Sequence, residues 1–213
     1  MELYKYCKRA HVPLNGTGGA LRIGTLYDYR KTDKYGELTS DVHEGRKQTS
    51  GTALHLNAEN IHLYPVLENL INIGASGRVG KLEVSNCTVG CPNMFVFSAS
   101  QEYSRSEHER WHEEEGYDAC YRINSARLFF REISRVLGVR GRFLGFAPVH
   151  YVESFDLSSP DIHPALVKRQ LIHQGQQEVR AIWQFGDGVE AKPLDLTKTN
   201  VGWYCTLHYL LGE

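Results

Sequence analysis

Met94-Phe95-Val96-Phe97-Ser98 is the segment that most limits how this chain can fold. A continuous apolar run of this length leaves no wet face, so it reads as a central buried strand. The rest of the chain must then supply its neighbours and its cover. Leu3 to Lys8 reads as a short opening strand. A glycine-rich turn (Asn15–Gly19) follows, then Ala20 to Arg30, rich in β-branched and aromatic residues. Residues 31 to 50 are polar without a sustained period and read as a loop. Thr52–Asn57, Asn60–Tyr64 and Gly80–Val84 alternate apolar and polar positions, as strands with one wet face do. Further strands are expected at Tyr117–Ile123, Arg142–Tyr151, Glu178–Gln184 and Gly202–Leu207. A charged helix is expected over Ser104–Glu115. A second, over Ser125–Leu137, has helically spaced Leu128, Phe129, Ile133, Val136 and Leu137 and a C-cap at Gly138. His163–Ile172 is the last helix candidate. Many strands, few helices and no regular βαβ alternation predict an α+β fold with a largely antiparallel or mixed sheet. No repeat or linker interrupts the chain, so residues 1–213 read as one domain.

The charge balance excludes one class of partner recognition. Lys and Arg number 24 against 25 Asp and Glu, so no global field steers the chain onto nucleic acid or an anionic membrane. Apolar residues make up 41% of the chain, enough for a core without disulfides or metals. The five cysteines are odd in number and irregularly spaced, which points to a reducing compartment. With no signal-peptide pattern at the start and no membrane-length apolar run, the expected location is the cytoplasm.

Several motifs invite chemistry. His108-Glu109-Arg110-Trp111-His112 satisfies the HExxH zinc pattern, in which two histidines one turn apart bind the metal and the glutamate activates its water. Glu132 lies at a spacing that would suit a third ligand. The flanks argue against it, because Ser104–Glu107 and Glu113–Glu115 describe a solvated helix face. The competing expectation is an exposed helix anchored to the core by Trp111. Cys87 and Cys91 with the same histidines could suggest a structural zinc, but Pro92 and the strand after it leave little room, so buried thiols are the simpler reading. Gly16-x-Gly18-Gly19 lacks the lysine and hydroxyl residue of a phosphate loop and reads as a turn. No serine stands in a nucleophile-elbow context. Arg131, Arg135, Arg140 and Arg142 could hold a phosphate or be ordinary solvated helix charge.

Three separated segments together resemble the ADP-ribosyltransferase-like superfamily, through an uncharacterised family of bacterial and phage defence proteins placed near it. They are Leu3-Tyr4-Lys5-Tyr6 with Leu21–Arg30, Phe95–Ser100 with Trp111 and Gly116–Cys120, and Val167–Gln170 with Gln176–Arg180. The resemblance implies split mixed or antiparallel sheets with a few flanking helices, and chemistry on NAD. It assigns catalysis to Glu178, whose carboxylate would stabilise charge developing on the ribose, and to Gln176, expected on the same strand face and orienting the acceptor. It assigns NAD binding to Ser98 and Ser100 beside the nicotinamide, Tyr4 or Tyr6 on the opening strand, Tyr27 stacking on nicotinamide, and Arg22 or Arg30 on the pyrophosphate. Members of the superfamily place Arg or His on the first strand; here Lys5 and the two tyrosines stand in that region.

The resulting expectation is an NAD-dependent ADP-ribosyltransferase acting on a nucleic acid or protein, as a toxin or phage-defence effector held silent by an antitoxin-like partner protein. The alternatives are a non-enzymatic NAD- or ADP-ribose-binding module and a zinc-dependent hydrolase. For Glu178 itself, the alternative is an edge-strand carboxylate paired with Arg180 or Lys168; for Tyr27 and Tyr29 it is packing.

Overall fold

In the computed structural model, residues 1–13, 21–31, 33, 40–168, 171–196 and 199–211 are described. The strands in chain order are β1 (Leu3–Cys7), β2 (Leu21–Thr25), β3 (Arg46–Asn57), β4 (Arg78–Gly90), β5 (Met94–Ser100), β6 (Ala119–Ile123), β7 (Gly141–Pro148), β8 (His150–Tyr151), β9 (Phe155–Asp156), β10 (Val167–Lys168), β11 (Glu178–Phe185), β12 (Leu194–Leu196) and β13 (Cys205–Leu210). Helices among the described residues include α1 (Pro65–Leu70), α2 (Arg105–Glu115) and α3 (Ala126–Leu137). The fold is α+β with mostly antiparallel sheets. No helix of the described residues is long and apolar enough to cross a membrane.

β5 is the central strand its composition predicts. One edge pairs antiparallel along its whole length with β11, which in turn pairs with β7. The other edge is divided. β2 pairs with its start, Gly24 opposite Val96 and Thr25 opposite Phe95. β1 pairs with its end, Tyr4 opposite Ser100, and continues the sheet through β6 to β13. Between the two ends, Phe97, Ser98 and Ala99 have register partners on the β11 side alone, among the described residues. The sheet therefore splits at the middle of β5.

Strand alternation sends successive side chains to opposite faces. Phe95, Phe97 and Ala99 of β5 join Val179, Ala181 and Trp183 of β11 in the main core, which α3 closes with Phe129, Phe130, Ile133 and Leu137. Trp183 donates its indole N–H to Ser134 Oγ at 2.8 Å, satisfying the one polar atom it buries there. On the other face, Met94 and Val96 pack with Ile182, Leu26 and Ala165. A smaller sheet, ordered β4-β3-β9, packs over its own cluster of Ala53, Leu56, Leu67 and Leu157.

Four sequence expectations need correction. The polar stretch expected as a loop to residue 50 already becomes strand at Arg46: its inward positions are Lys47 and Thr49, and Lys47 is buried against Asp161 at 2.8 Å, which hides the alternation. Asn60–Tyr64 is not a strand, because Asn57 and Asn60 exchange side-chain-to-backbone hydrogen bonds and Pro65 then opens α1. His163–Ile172 is not a helix within the described residues. His163 caps a short 3-10 turn at Pro164–Leu166, and Val167–Lys168 turn into β10, parallel to β8. Gln176 ends a second 3-10 segment, Leu171–Gln176, rather than lying on the strand of Glu178; Gln177 between them has φ of 41°. The glycine-rich turn, Arg169 and Gln170 lie outside the described residues.

Candidate functional site

The split in the sheet forms a cleft. Its inner lobe, about 160 Å³, is lined by Tyr4, Lys5, Tyr6, Arg22, Tyr29, Glu44, Ser98, Ser100, Trp111, Tyr117, Lys168, Gln176, Glu178 and Arg180. A second lobe of about 530 Å³ continues between β1 and β2 over Phe97 and Tyr121, sharing Lys5, Tyr6, Arg22, Tyr29 and Tyr117 with the first.

Register explains how distant residues meet here. Glu178 stands opposite Ser100, Arg180 opposite Ser98, and Tyr4 opposite Ser100 from the other side. Tyr4, Ser100 and Glu178 thus form one row across three adjacent strands, on the face away from the main core. Neighbours in such a row have Cβ atoms about 5 Å apart.

Beneath the row lies a buried charge cluster. Glu178 accepts from Arg180 Nε at 2.6 Å through Oε1 and pairs with Lys168 Nζ at 2.8 Å through Oε2. Its backbone N–H donates to the Tyr151 hydroxyl at 2.9 Å. Arg180 also forks onto Glu44, one arm at 2.8 Å, and donates to the Ala165 carbonyl at 2.8 Å. Lys168 donates to Gln176 Oε1 at 2.9 Å, and Gln176 Nε2 lies 3.4 Å from His173 Nδ1. Burial opposes the charge on Glu178, but Arg180 and Lys168 outweigh it and hold its carboxyl well below the usual carboxylate range. Burial and the Lys168 cation push His173 down to about 4.

Lys5 stands apart from this cluster. It extends over Phe97, 5.3 Å from the ring centroid, and among the described residues no carboxylate lies within ion-pairing distance. Burial lowers its pKa against the raising pull of Cys7 and Glu178. Arg22 sits at the rim, 3.4 Å from Asp28. Trp111 and Tyr117 stack in parallel, 5.3 Å apart, as one wall, and the buried Trp111 indole N–H has no hydrogen-bond partner among the described residues.

Of the nine residues expected at the site, Tyr4, Tyr6, Arg22, Ser98, Ser100, Gln176 and Glu178 line the inner lobe. Tyr27 and Arg30 do not. Arg30 lies 3.7 Å over the Tyr27 ring and donates to the Glu44 carbonyl at 2.8 Å, while Tyr27 donates to the Cys91 carbonyl at 2.9 Å. Both work behind the cleft, because the 3-10 turn Asp28–Arg30 rotates them off the direction of β2 and brings Tyr29 into the lobe instead. The expectation of an edge-strand Glu178 is half met: both ion pairs form, but β11 is internal, between β5 and β7. The residues missed by sequence reasoning are Glu44 as a partner in the charge cluster, Tyr29 and the Trp111–Tyr117 wall. Glu44 lies in the polar stretch expected as loop, and nothing local distinguishes it.

The HExxH segment behaves differently. Ser104 caps α2, its Oγ accepting from Glu107 N, and Gly116 closes the helix at φ 69°. His108 is fully buried beneath Tyr6, Tyr103 and Tyr209, whereas His112 is exposed and Glu109 pairs outward with Arg105 at 2.9 Å. His108, not Trp111, is therefore the helix's deepest anchor. Among the described residues no group of three or more His, Cys, Asp or Glu is placed to hold a metal ion. The arginine cluster is likewise dispersed: Arg135 forks onto Glu132, Arg140 donates to the Val136 carbonyl, and Arg142 donates to Gln184. Comparison of the chain with protein-family models, with curated proteins and with solved structures gives no match.

Proposed function

We propose that the cleft binds NAD and that the protein is an ADP-ribosyltransferase-like enzyme passing ADP-ribose to a macromolecular acceptor, nucleic acid or protein. The observation that carries this reading is the row Tyr4–Ser100–Glu178. These residues, which the resemblance singles out, stand 96 and 78 positions apart in sequence and meet on one face at the split of the sheet.

The fit to NAD rests on the donors and walls present. Aromatic rings of Tyr4, Tyr6, Tyr29 and the Trp111–Tyr117 pair offer stacking surface, and the Trp111 indole N–H offers a donor to a carbonyl oxygen. Ser98 and Ser100 add hydroxyls beside Glu178. Lys5 and Arg22 supply positive charge between the two lobes, where a pyrophosphate would bridge them. NAD supplies an ADP-ribose whose bond to nicotinamide breaks with positive charge developing on the ribose. Glu178 is ionised at neutral pH and held rigidly by two cations, so its remaining lone pairs can accept from a ribose hydroxyl with little reorganisation. Gln176, fixed by Lys168, presents an amide beside it to orient the acceptor.

One observation favours the binding-module reading: both Glu178 oxygens are already bonded to cations, which weakens the field a developing positive charge would feel. Labelled NAD incubated with the protein and cell lysate, divided into protein, DNA and RNA fractions, separates the two. Label in one fraction that disappears with Glu178→Gln supports transfer and names the acceptor class. Saturable NAD binding without nicotinamide release supports the module. Neither binding nor release refutes both.

A further inference from the structure

We propose that Glu44 is a positioning residue for Glu178, acting through Arg180: by occupying the two terminal nitrogens of that guanidinium it keeps the charge of Glu178 turned toward the cleft. This rests on the reading of Glu178 as the cleft's catalytic carboxylate.

Glu44 comes from the turn between Asp41 and Gly45. Its N–H donates to the Asp41 carbonyl at 2.9 Å, and Gly45 takes φ of 69°, a left-handed conformation suited to glycine. The side chain is 1% exposed and lies on the wall of the inner lobe. Its two oxygens meet Arg180 Nη1 and Nη2, the second at 2.8 Å, in a two-pronged fork. Arg180 Nη1 also donates to the Ala165 carbonyl. What remains for Glu178 is the single short bond from Nε at 2.6 Å; the next nearest arm, Nη2, is 3.4 Å from Oε2. Arg180 is therefore shared unequally: its end-on pair, Nη1 and Nη2, is held by Glu44, and Nη2 reaches Glu178 only at 3.4 Å.

The charge count gives the same answer. Glu44 and Glu178 together balance Arg180 and Lys168. Without the charge of Glu44, Glu178 alone faces both cations, and the potential it projects into the cleft is cancelled. Glu44 is itself held from behind by Arg30, whose Nε donates to its carbonyl at 2.8 Å and whose guanidinium lies over Tyr27. That gives the Tyr27–Arg30 pair a place in the site without contact to a ligand.

The groups facing Glu44 are Arg180 and Glu178 from β11, Lys168 from β10, Tyr151 from β8, Arg30 from the turn after β2, and Cys91 beyond β4. Burial raises the Glu44 carboxyl against the pull of Arg180 and Lys168, whereas Glu178 is held low. On acidification Glu44 takes up its proton before Glu178. Its grip on Arg180 then loosens, the fork passes to Glu178, and turnover falls. The first fall of kcat on acidification is thus assigned to Glu44.

The test is the isosteric Glu44→Gln in the full chain, with Glu44→Asp beside it. With folding verified by near-UV circular dichroism, Glu44→Gln should lower kcat for nicotinamide release by about tenfold or more. KM for NAD should stay within about threefold, and the acid limb should move to lower pH. Wild-type kcat with an unchanged acid limb overturns the proposal. If Glu44→Gln does not fold, Glu44→Asp decides: a displaced acid-limb midpoint supports the proposal and a wild-type midpoint overturns it. If the wild-type protein releases no nicotinamide, the enzymatic reading has failed on its own account. Carbon-13 titration of the Glu178 carboxyl then decides the role of Glu44, comparing wild type with Glu44→Gln, or with Glu44→Asp should the former not fold. A changed Glu178 titration supports the link through Arg180, and an identical one overturns it.

Discussion

The floor of the cleft and helix α2 are both dense in charge, and they use it differently. On α2, Arg105 and Glu109 form an ion pair with both partners in water, one turn apart on one helix. In the floor, Glu44, Lys168, Glu178 and Arg180 are all nearly out of water and come from three separate parts of the chain. The first arrangement is worth little, because solvent screens it. The second is costly unless every charge is met, and it is weak grounds for stability but good grounds for suspecting a function. The sharper sequence motif, HExxH, lands on the surface helix; the weaker Gln-x-Glu lands in the floor. Motif sharpness and burial in the cleft are separate quantities.

The comparison breaks most visibly if the buried cluster proves dispensable. Arg180→Met strands Glu44 and leaves Glu178 with Lys168 alone, and should cost about 3–5 kcal/mol in urea unfolding at pH 7. A wild-type midpoint would mean that the floor is as solvated as the helix. Next in size, Glu178→Gln should lower NAD turnover by roughly 10²–10³ while NAD binding changes only a few-fold. Equal turnover in both proteins would remove Glu178 from the chemistry.

Acid sharpens the contrast further. His173 is lowered to about 4, so the folded protein refuses a proton that the unfolded chain accepts. Stability should therefore fall as pH drops from about 6.5 toward 4, by on the order of 1–3 kcal/mol. Glu178 adds a second loss at lower pH. Its stabilisation is complete above the ordinary carboxylate value of about 4.3 and disappears as pH falls through its depressed folded value. Urea titrations across this range with His173→Gln should show the first loss flattened; a slope equal to wild type would show that His173 is not the group responsible. The smallest effect is expected on α2. Glu109→Gln and dialysis against EDTA should each move the thermal midpoint by about a degree at most. A large drop on chelation would restore the zinc reading.

Much of the framework was legible because it depends on neighbours in sequence. Met94–Ser98 forms the central strand, Ser104 and Gly116 bound α2, and Gly138 follows α3 with φ of 54°. Two of the failures come from partners distant in sequence. Arg46–Ser50 hides its strand because Lys47 is buried by an aspartate 114 positions away. Lys168 leaves its expected helix for a parallel bridge to Tyr151 and an ion pair with Glu178. Tyr27 and Arg30 miss the cleft through a single 3-10 turn that no local pattern announces.

The sequence by itself determined that Met94–Ser98 and Glu178–Gln184 are strands and, through the two-residue period within them, that Glu178 shares a face with Arg180. Only the tertiary structure decided that β1 and β2 would take opposite ends of one edge of β5 and leave a cleft between them. It alone brought Glu44 to Arg180 across 136 positions. The physical reason is that alternation is fixed by backbone geometry within a few residues, whereas strand register and the matching of buried charges depend on partners that the chain supplies only once it has folded.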